Sequence, residues 1–364
     1  MERARLLFEQ AEARGEAPAD PLLLAVLYGV WTCSLIAFNG DDLREVAARM
    51  LAIAEKQEAT VPIMIGHRRM GTARTLTGHV TDALAHFDRS LGLYNAAEHR
   101  PLATPFENTR VVSLCWRAFA HWLLGFPEAA LADADHALKE TRDPDQAATF
   151  MLANAIASYT LIQCGSYDAV NVLLDALVVM AEEKGAVSRK AEGLILRGCV
   201  LALTGKCPDA IQMITLGINT WRSTGASVWM PLYLSYLARA HAELGQYDDA
   251  WRSIGEAITT MEETKELWCE AEVHRVAGEI ALASPKPDAA KAQASFERAL
   301  EVARKQQARS LELRAAMSMA RLLRDQGERD QACDLLAPVY GWFTEGHDTL
   351  DLKNEKALLD ELVR

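Results

Sequence analysis

Three glycines, Gly165, Gly205 and Gly245, stand 40 residues apart twice running. Their surroundings read TLIQCGSYDAV (160–170), LALTGKCPDAI (201–211) and HAELGQYDDAW (241–251), with Tyr or Cys two residues on and Ala or Val five residues on. Gly78 in LTGHVTDAL, Gly125 in LLGFPEAAL and Gly327 in RDQGERDQAC occupy the same slot. A fixed period of this size restricts the chain to a stack of similar units, each burying its apolar face against the next.

The slot has a local meaning. An apolar helical run ends at the glycine, which supplies the left-handed conformation that closes a helix. A short polar turn and a second amphipathic helix follow. Seven residues before the glycine stands a small residue (Gly71, Ala118, Ser158, Gly198, Ala238, Ala320), and five after it another (Ala83, Ala130, Val170, Ala210, Ala250, Ala332). Small residues there let two helices approach closely, and Phe87, Leu174, Ile214 and Ile254, four residues further on, fill the gap between units. A further copy spans 271–303, with Gly278, Ala292, Phe296 and Ala299, its turn two residues longer and carrying Pro285 and Pro287. Residues 31–57 form a degenerate first copy. The expected fold is all-α, a right-handed superhelix of about eight helical hairpins over 1–364 as one domain. An unpaired helix over 1–14 (its core 2–14) precedes them, and a tail and capping helix over 344–364 (the helix from 351 to 363) end the chain.

The same reading decides Lys206. A phosphate loop needs a glycine five residues before its Gly-Lys pair and a strand ahead of it; here that residue is Val200, inside a helix. Nucleotide binding at Lys206 is not expected.

Composition narrows the function. The chain is 50% hydrophobic and 7% aromatic, with Ala, Leu, Glu and Arg dominant, as suits helices. A net charge of −12 argues against nucleic acid, whose phosphates need a basic face. Seven cysteines without a CxxC pair read as reduced thiols in a cytoplasmic protein. The first residues lack the apolar core of a signal peptide. Residues 21–38 hold no charge, yet their flanks are acidic, so they are read as a buried helix and no membrane association is expected.

A search for chemistry finds little. None of the nine histidines lies in HExxH or another metal-ligand spacing. Asp133 and His136 share a helix face, as do Glu270 and His274, and both pairs read as solvated faces. No catalytic residue, metal or cofactor is implied, and the chain is expected not to be an enzyme.

The small–Gly–Ala–large pattern resembles the tetratricopeptide repeat, lengthened from 34 to about 40 residues. The resemblance extends further in FERALEVARKQQARSLELRAAMSMARLLRDQG (296–327) and LLAPVYGWFTEGHDTLDLKNEKALLDEL (335–362). These are similar to the C-terminal end of a bacterial multidomain family. There, a class III nucleotide cyclase or another output domain precedes a signalling-type ATPase domain, and a long tetratricopeptide-like array comes last. The tail from Tyr340-Gly341-Trp342-Phe343 is the most specific part, and His347 departs from it where a large apolar residue is expected. Neither catalytic domain has a counterpart in these 364 residues, so neither activity carries over. Residues 1–14 read as the second helix of a hairpin that lacks its first, as in a fragment or a stand-alone relic of a larger protein.

Such superhelices bind along their concave face. The concave positions give an apolar middle, with Phe119, Trp122 and Tyr159, passing into an arginine-rich end with Arg239, Arg275, Arg321 and Arg324. This predicts a regulatory module in bacterial signalling that takes a protein or peptide segment, with acidic groups meeting the arginines. A small-ligand or peptide sensor is the competing reading; an enclosed pocket favours the sensor, and an open groove the scaffold. Pairing of these arginines with Glu272 and Glu279 is the plain structural alternative. The uncapped N-terminal end, with Leu6, Leu7 and Phe8, predicts a homo-oligomeric contact.

Overall fold

The computed structural model describes residues 21–95, 108–141 and 146–363. Among the described residues there are seventeen helices and no strand. They run α1 Pro21–Ile36, α2 Gly40–Lys56, α3 Thr60–Leu76, α4 Val80–Gly92, α5 Thr109–Leu123, α6 Pro127–Glu140, α7 Ala147–Gln163 and α8 Tyr167–Glu183. Then follow α9 Val187–Leu203, α10 Cys207–Ser223, α11 Met230–Glu243, α12 Tyr247–Thr264, α13 Glu270–Ala283, α14 Ala289–Gln306, α15 Arg309–Asp325, α16 Arg329–Tyr340 and α17 Leu350–Leu362. Consecutive helices pair into eight hairpins, and α17 packs on α16 and α15. The expected helix over 2–14, with Leu6, Leu7 and Phe8, lies outside the described residues.

The turn glycines close their helices as the spacing requires. Gly78, Gly125, Gly165, Gly205, Gly245 and Gly327 all have φ between 73° and 89°. The next residue's N–H reaches back to the preceding helix, as in Ser166 to the Leu161 carbonyl and Lys206 to the Leu201 carbonyl, both at 2.9 Å. Lys206 therefore sits in a helix-to-helix turn. Left-handed residues also fall midway between them, at Gly185, Gly225 and Lys265, so the backbone turns at a 20-residue beat from 165 to 265. The small positions act as expected. A Cβ at Gly71 would meet the Phe87 ring at 2.5 Å, and one at Gly198 would meet Ile214 at 2.6 Å. The copy at 271–303 bends differently: its first helix ends at Ser284 in an extended conformation (φ −65°, ψ 156°), where Pro285 bars further helix.

Helix α1 is buried on one face only, which corrects the expectation of a buried helix over residues 21–38. Leu27, Trp31 and Ser34 turn inward, while Val26, Cys33 and Ile36 face solvent. Among the described residues, no helix is long and apolar enough to cross a membrane.

The superhelix closes on itself. The N–H groups of Ser227 and Val228, in the loop before α11, donate to the Ile36 carbonyl at the tip of the first hairpin. Leu267 and Trp268, in the loop before α13, donate likewise to the Leu76 carbonyl at the second. Ser310 of α15 donates to the Trp122 carbonyl at the third. Gly125 leaves room there for Trp342 and Phe343 of the tail, and Gly165 leaves room for Leu350. Later hairpins thus cover the tips of earlier ones.

The buried centre of this closure is aromatic. Trp229 stacks between Tyr159 (ring centroids 3.9 Å apart) and Trp116 (5.7 Å), and Phe119 meets Trp268 edge-on at 4.9 Å. Trp229 holds a left-handed conformation (φ 68°), unusual for so bulky a residue. Its N–H donates to both oxygens of the buried Glu266 carboxyl (3.0 and 3.1 Å), which also accepts from the Trp268 indole. This carboxyl takes up the N–H that the strained turn would otherwise leave buried and unpaired.

Candidate functional site

Beside the aromatic core, the concave surface opens into a pocket of about 290 Å³. Its walls come from α7 (Gln163), α11 (Tyr236, Arg239), α13 (Glu272, Arg275, Glu279), α15 (Arg314, Met317, Arg321) and the first turn of α17 (Asp351, Asn354). The 3.6-residue helical period brings these charges together. Arg275 lies between Glu272 and Glu279 on one face of α13, and Arg314, Met317 and Arg321 share a face of α15.

Four guanidinium groups and three carboxylates meet here, and they are unequally satisfied. Arg275 grips Glu272 with two bonds of 2.7 and 2.8 Å, and also pairs with Glu279. Burial opposes the Glu272 charge, but Arg275 beside it prevails and holds this carboxyl down at about 2. Arg314 donates to Asp351 at 2.7 Å, to the Gln163 side chain at 2.6 Å and to the Gln163 carbonyl at 2.9 Å. Its guanidinium also lies over the Trp122 ring, 5.1 Å from the centroid. Arg239 and Arg321 make no hydrogen bond or ion pair within the described residues. Burial, helped by the neighbouring Arg275 and Arg324 charges, lowers the Arg321 pKa, and Glu279 and Asp351 offset this only in part.

The residues expected from the sequence therefore divide. Arg239, Arg275 and Arg321 come together in the pocket, with Arg275 already saturated by glutamates. Arg324 does not line it; it is paired with Asp325 at 2.8 Å and Glu361 at 3.2 Å. Phe119, Trp122 and Tyr159 are 0%, 2% and 1% exposed, so they form no open apolar groove. The reason is the closure: Trp229 and Trp268, carried by loops between hairpins, lie against Phe119 and Tyr159, and Arg314 lies over Trp122. The Tyr159 hydroxyl is likewise taken, donating to the buried Glu192 at 3.0 Å and meeting the Tyr233 hydroxyl. Gln163, Tyr236, Asp351 and Asn354 complete the pocket without having been anticipated. Asp351 enters from the tail, and no repeat spacing points from there to Arg314.

The pocket can bind charge. Nearby Cys164 has its thiol pushed up to about 12 by burial, which keeps it protonated. Among the described residues, no three His, Cys, Asp or Glu side chains converge as a metal-ligand set.

Fold and site together define a tetratricopeptide-like α-solenoid closed around a charged interior pocket. No protein-family profile matches the chain, and no curated protein matches it in sequence. Solved structures do match in fold. A Rap protein in complex with competence and sporulation factor aligns at TM-score 0.63 and 13% identity, over 99% of this chain and 94% of its own. The Rap conjugation regulator of plasmid pLS20, in complex with the Phr* peptide, aligns at TM-score 0.54 and 12% identity, over 85% of this chain and 77% of its own. Aspartyl phosphate phosphatase F from Bacillus subtilis aligns at TM-score 0.53 and 12% identity, over 96% of this chain and 89% of its own. At such identities the likeness is one of fold.

Proposed function

We propose that this chain is a non-catalytic regulatory module of bacterial signalling, acting in the cytoplasm, that binds a protein or peptide segment through carboxylate groups in its interior pocket. The observation that carries this reading is the pair Arg239 of α11 and Arg321 of α15, two guanidinium groups lining the pocket without a hydrogen-bond or ion-pair partner among the described residues. A planar guanidinium grips a carboxylate with two parallel bonds, and in a partly desolvated pocket such bonds are stronger than at the surface. One of the similar folds holds the Phr* peptide and another holds competence and sporulation factor, and the first supports a peptide as the ligand. Arg275 supports the wall structurally, while Arg324, held by Asp325 and Glu361, takes no part in the binding.

A small, half-open pocket in place of a continuous groove favours a sensor-like mode over a long scaffold groove. About 290 Å³ is at the small end of ligand sites, enough for one or two residues of a peptide or a small carboxylate. The buried state of Phe119, Trp122 and Tyr159 leaves no aromatic groove for a longer apolar anchor. Residues 1–364 act as one module, and self-association through the N-terminal end belongs to the same reading.

Calorimetric titration of a tetraglutamate peptide into the protein and into an Arg239→Glu/Arg321→Glu variant tests this. Binding to the wild type that falls with salt and drops at least about tenfold in the variant is expected. Equal binding by both proteins, with the variant folded, removes the pocket from the reading.

A further inference from the structure

Each pocket arginine that has a carboxylate partner draws it from a different place. Glu272 and Glu279, which hold Arg275, lie on the same helix as Arg275 and cannot leave without it. Asp351, which holds Arg314, lies on the first turn of α17, after a strap that crosses back over earlier hairpins. The strap is fastened by few polar contacts. The Glu345 carboxylate accepts the Glu128 and Ala129 N–H groups at 3.0 Å, and the Glu128 carboxylate accepts the Gly346 N–H at 2.8 Å. Both lie at or near the surface, where water competes for such bonds.

Docking α17 also has a cost. Glu355, one turn beyond Asp351, is 0% exposed, and neither of its carboxyl oxygens has a hydrogen-bond partner. A buried polar group without a partner forfeits its hydration and gains nothing in return. An α17 moved off the pocket would return that group to water. The docked position thus sets the apolar packing of Phe343, Leu352, Leu358 and Leu362 against a displaceable ion pair, strap hydrogen bonds open to water and an unsatisfied buried carboxyl.

We propose that α17 and its strap form a closure displaced by the ligand: an incoming carboxylate takes the place of Asp351 on Arg314 and releases α17 from the pocket. The proposal rests on the reading that the pocket takes carboxylates, and it gives that binding an output. The site lies on the concave face, whereas the released element, α17, also packs on α16 and α15 away from it. Asp351 acts as an internal competitor of the ligand, so its removal tightens binding, whereas loss of an ordinary pocket-wall residue weakens it. A ligand that binds only the undocked state shifts the equilibrium by its differential affinity.

Amide hydrogen exchange of the full chain, with and without saturating tetraglutamate peptide, tests the coupling. Exchange in residues 350–362 is expected to rise at least about fivefold with the peptide while α13 stays protected. Asp351→Asn, and separately Glu128→Gln/Glu345→Gln at the distant strap, are each expected to raise tail exchange in the free protein and to tighten peptide binding about threefold or more. Peptide binding that depends on Arg239 and Arg321, with tail exchange unchanged, overturns the coupling and leaves the pocket reading standing. Weaker binding by both variants overturns the coupling too. Absence of peptide binding by the wild type and by Asp351→Asn overturns both.

Discussion

The Ser310 hydroxyl donates to the main-chain carbonyl of Trp122 at 2.5 Å, across 188 residues of sequence. That bond joins the start of the eighth hairpin to the tip of the third. Trp122 in turn lies under the Arg314 guanidinium, so the closure of the superhelix and the wall of the pocket share a residue.

The pocket arginines should separate by role. Arg275→Ala leaves Glu272 buried and unpaired, and should cost about 3–5 kcal/mol of stability in urea unfolding. Arg239→Ala and Arg321→Ala remove no existing bond and should change stability by less than about 1 kcal/mol. A markedly destabilised Arg321→Ala protein would mean that this side chain has a structural partner in solution.

Two kinds of glycine should respond differently. Gly198→Val forces a side chain against Ile214 and should cost about 1–3 kcal/mol by overpacking. Gly205→Ala meets no neighbour, but φ is +78°, so its cost should be about 1–2 kcal/mol from backbone strain alone. Adding Ile214→Ala should recover stability lost in Gly198→Val and none lost in Gly205→Ala. Recovery in both, or in neither, would contradict the packing assigned to the small positions.

Stability should fall as pH rises from 7 to 8. Burial pushes Glu266 up to about 8, and burial with Asp351 nearby pushes Glu355 up to about 9, against an ordinary value of 4.5. Because both folded values are raised, the folded state holds protons that the unfolded chain has released. Their contribution is fully present below pH 4.5 and is lost as pH climbs through 8 and 9. The slope should be of order 1–2 kcal/mol per pH unit, read from urea midpoints. Glu266→Gln and Glu355→Gln should each flatten it. A slope untouched by both substitutions would show that neither carboxyl is protonated in the native protein.

A thiol reagent applied to the native protein at neutral pH should label Cys33 first and Cys333 more slowly. These are the exposed and the partly exposed cysteines, while Cys115, Cys164, Cys199, Cys207 and Cys269 are buried. Burial also pushes the Cys115 thiol up to about 12, which suppresses the reactive thiolate. Mass spectrometry of the labelled peptides reads the order directly, and rapid labelling of Cys199 or Cys269 would contradict the packing described.

The hairpins were legible because each one is specified locally. A glycine closes a helix, and small residues at fixed distances admit Phe87, Ile214 or Phe296. The closure was not legible, because its contacts run through main-chain groups such as the Ile36 and Leu76 carbonyls, which any sequence possesses. For the same reason Phe119, Trp122 and Tyr159 read as an open groove: helical spacing put them on one face, but nothing local foretold that Trp229 and Trp268 would pack on Phe119 and Tyr159, or Arg314 on Trp122. Arg239 and Arg321 were found by spacing alone. Their lack of partners was visible only once α13, α15 and α17 had been brought together.

An open solenoid is a spring: each coil touches only its neighbours, so it can stretch or unwind by small steps along its length. In this chain the main-chain bonds from Ser227 and Val228 to Ile36, and from Leu267 and Trp268 to Leu76, rivet one coil to the next. Pulled from its ends, such a molecule resists extension until those rivets shear together, and then yields abruptly. It is built to hold one diameter rather than to flex, and that fixed bore holds the hairpins around the pocket in place, so that α17 is the one wall left to move.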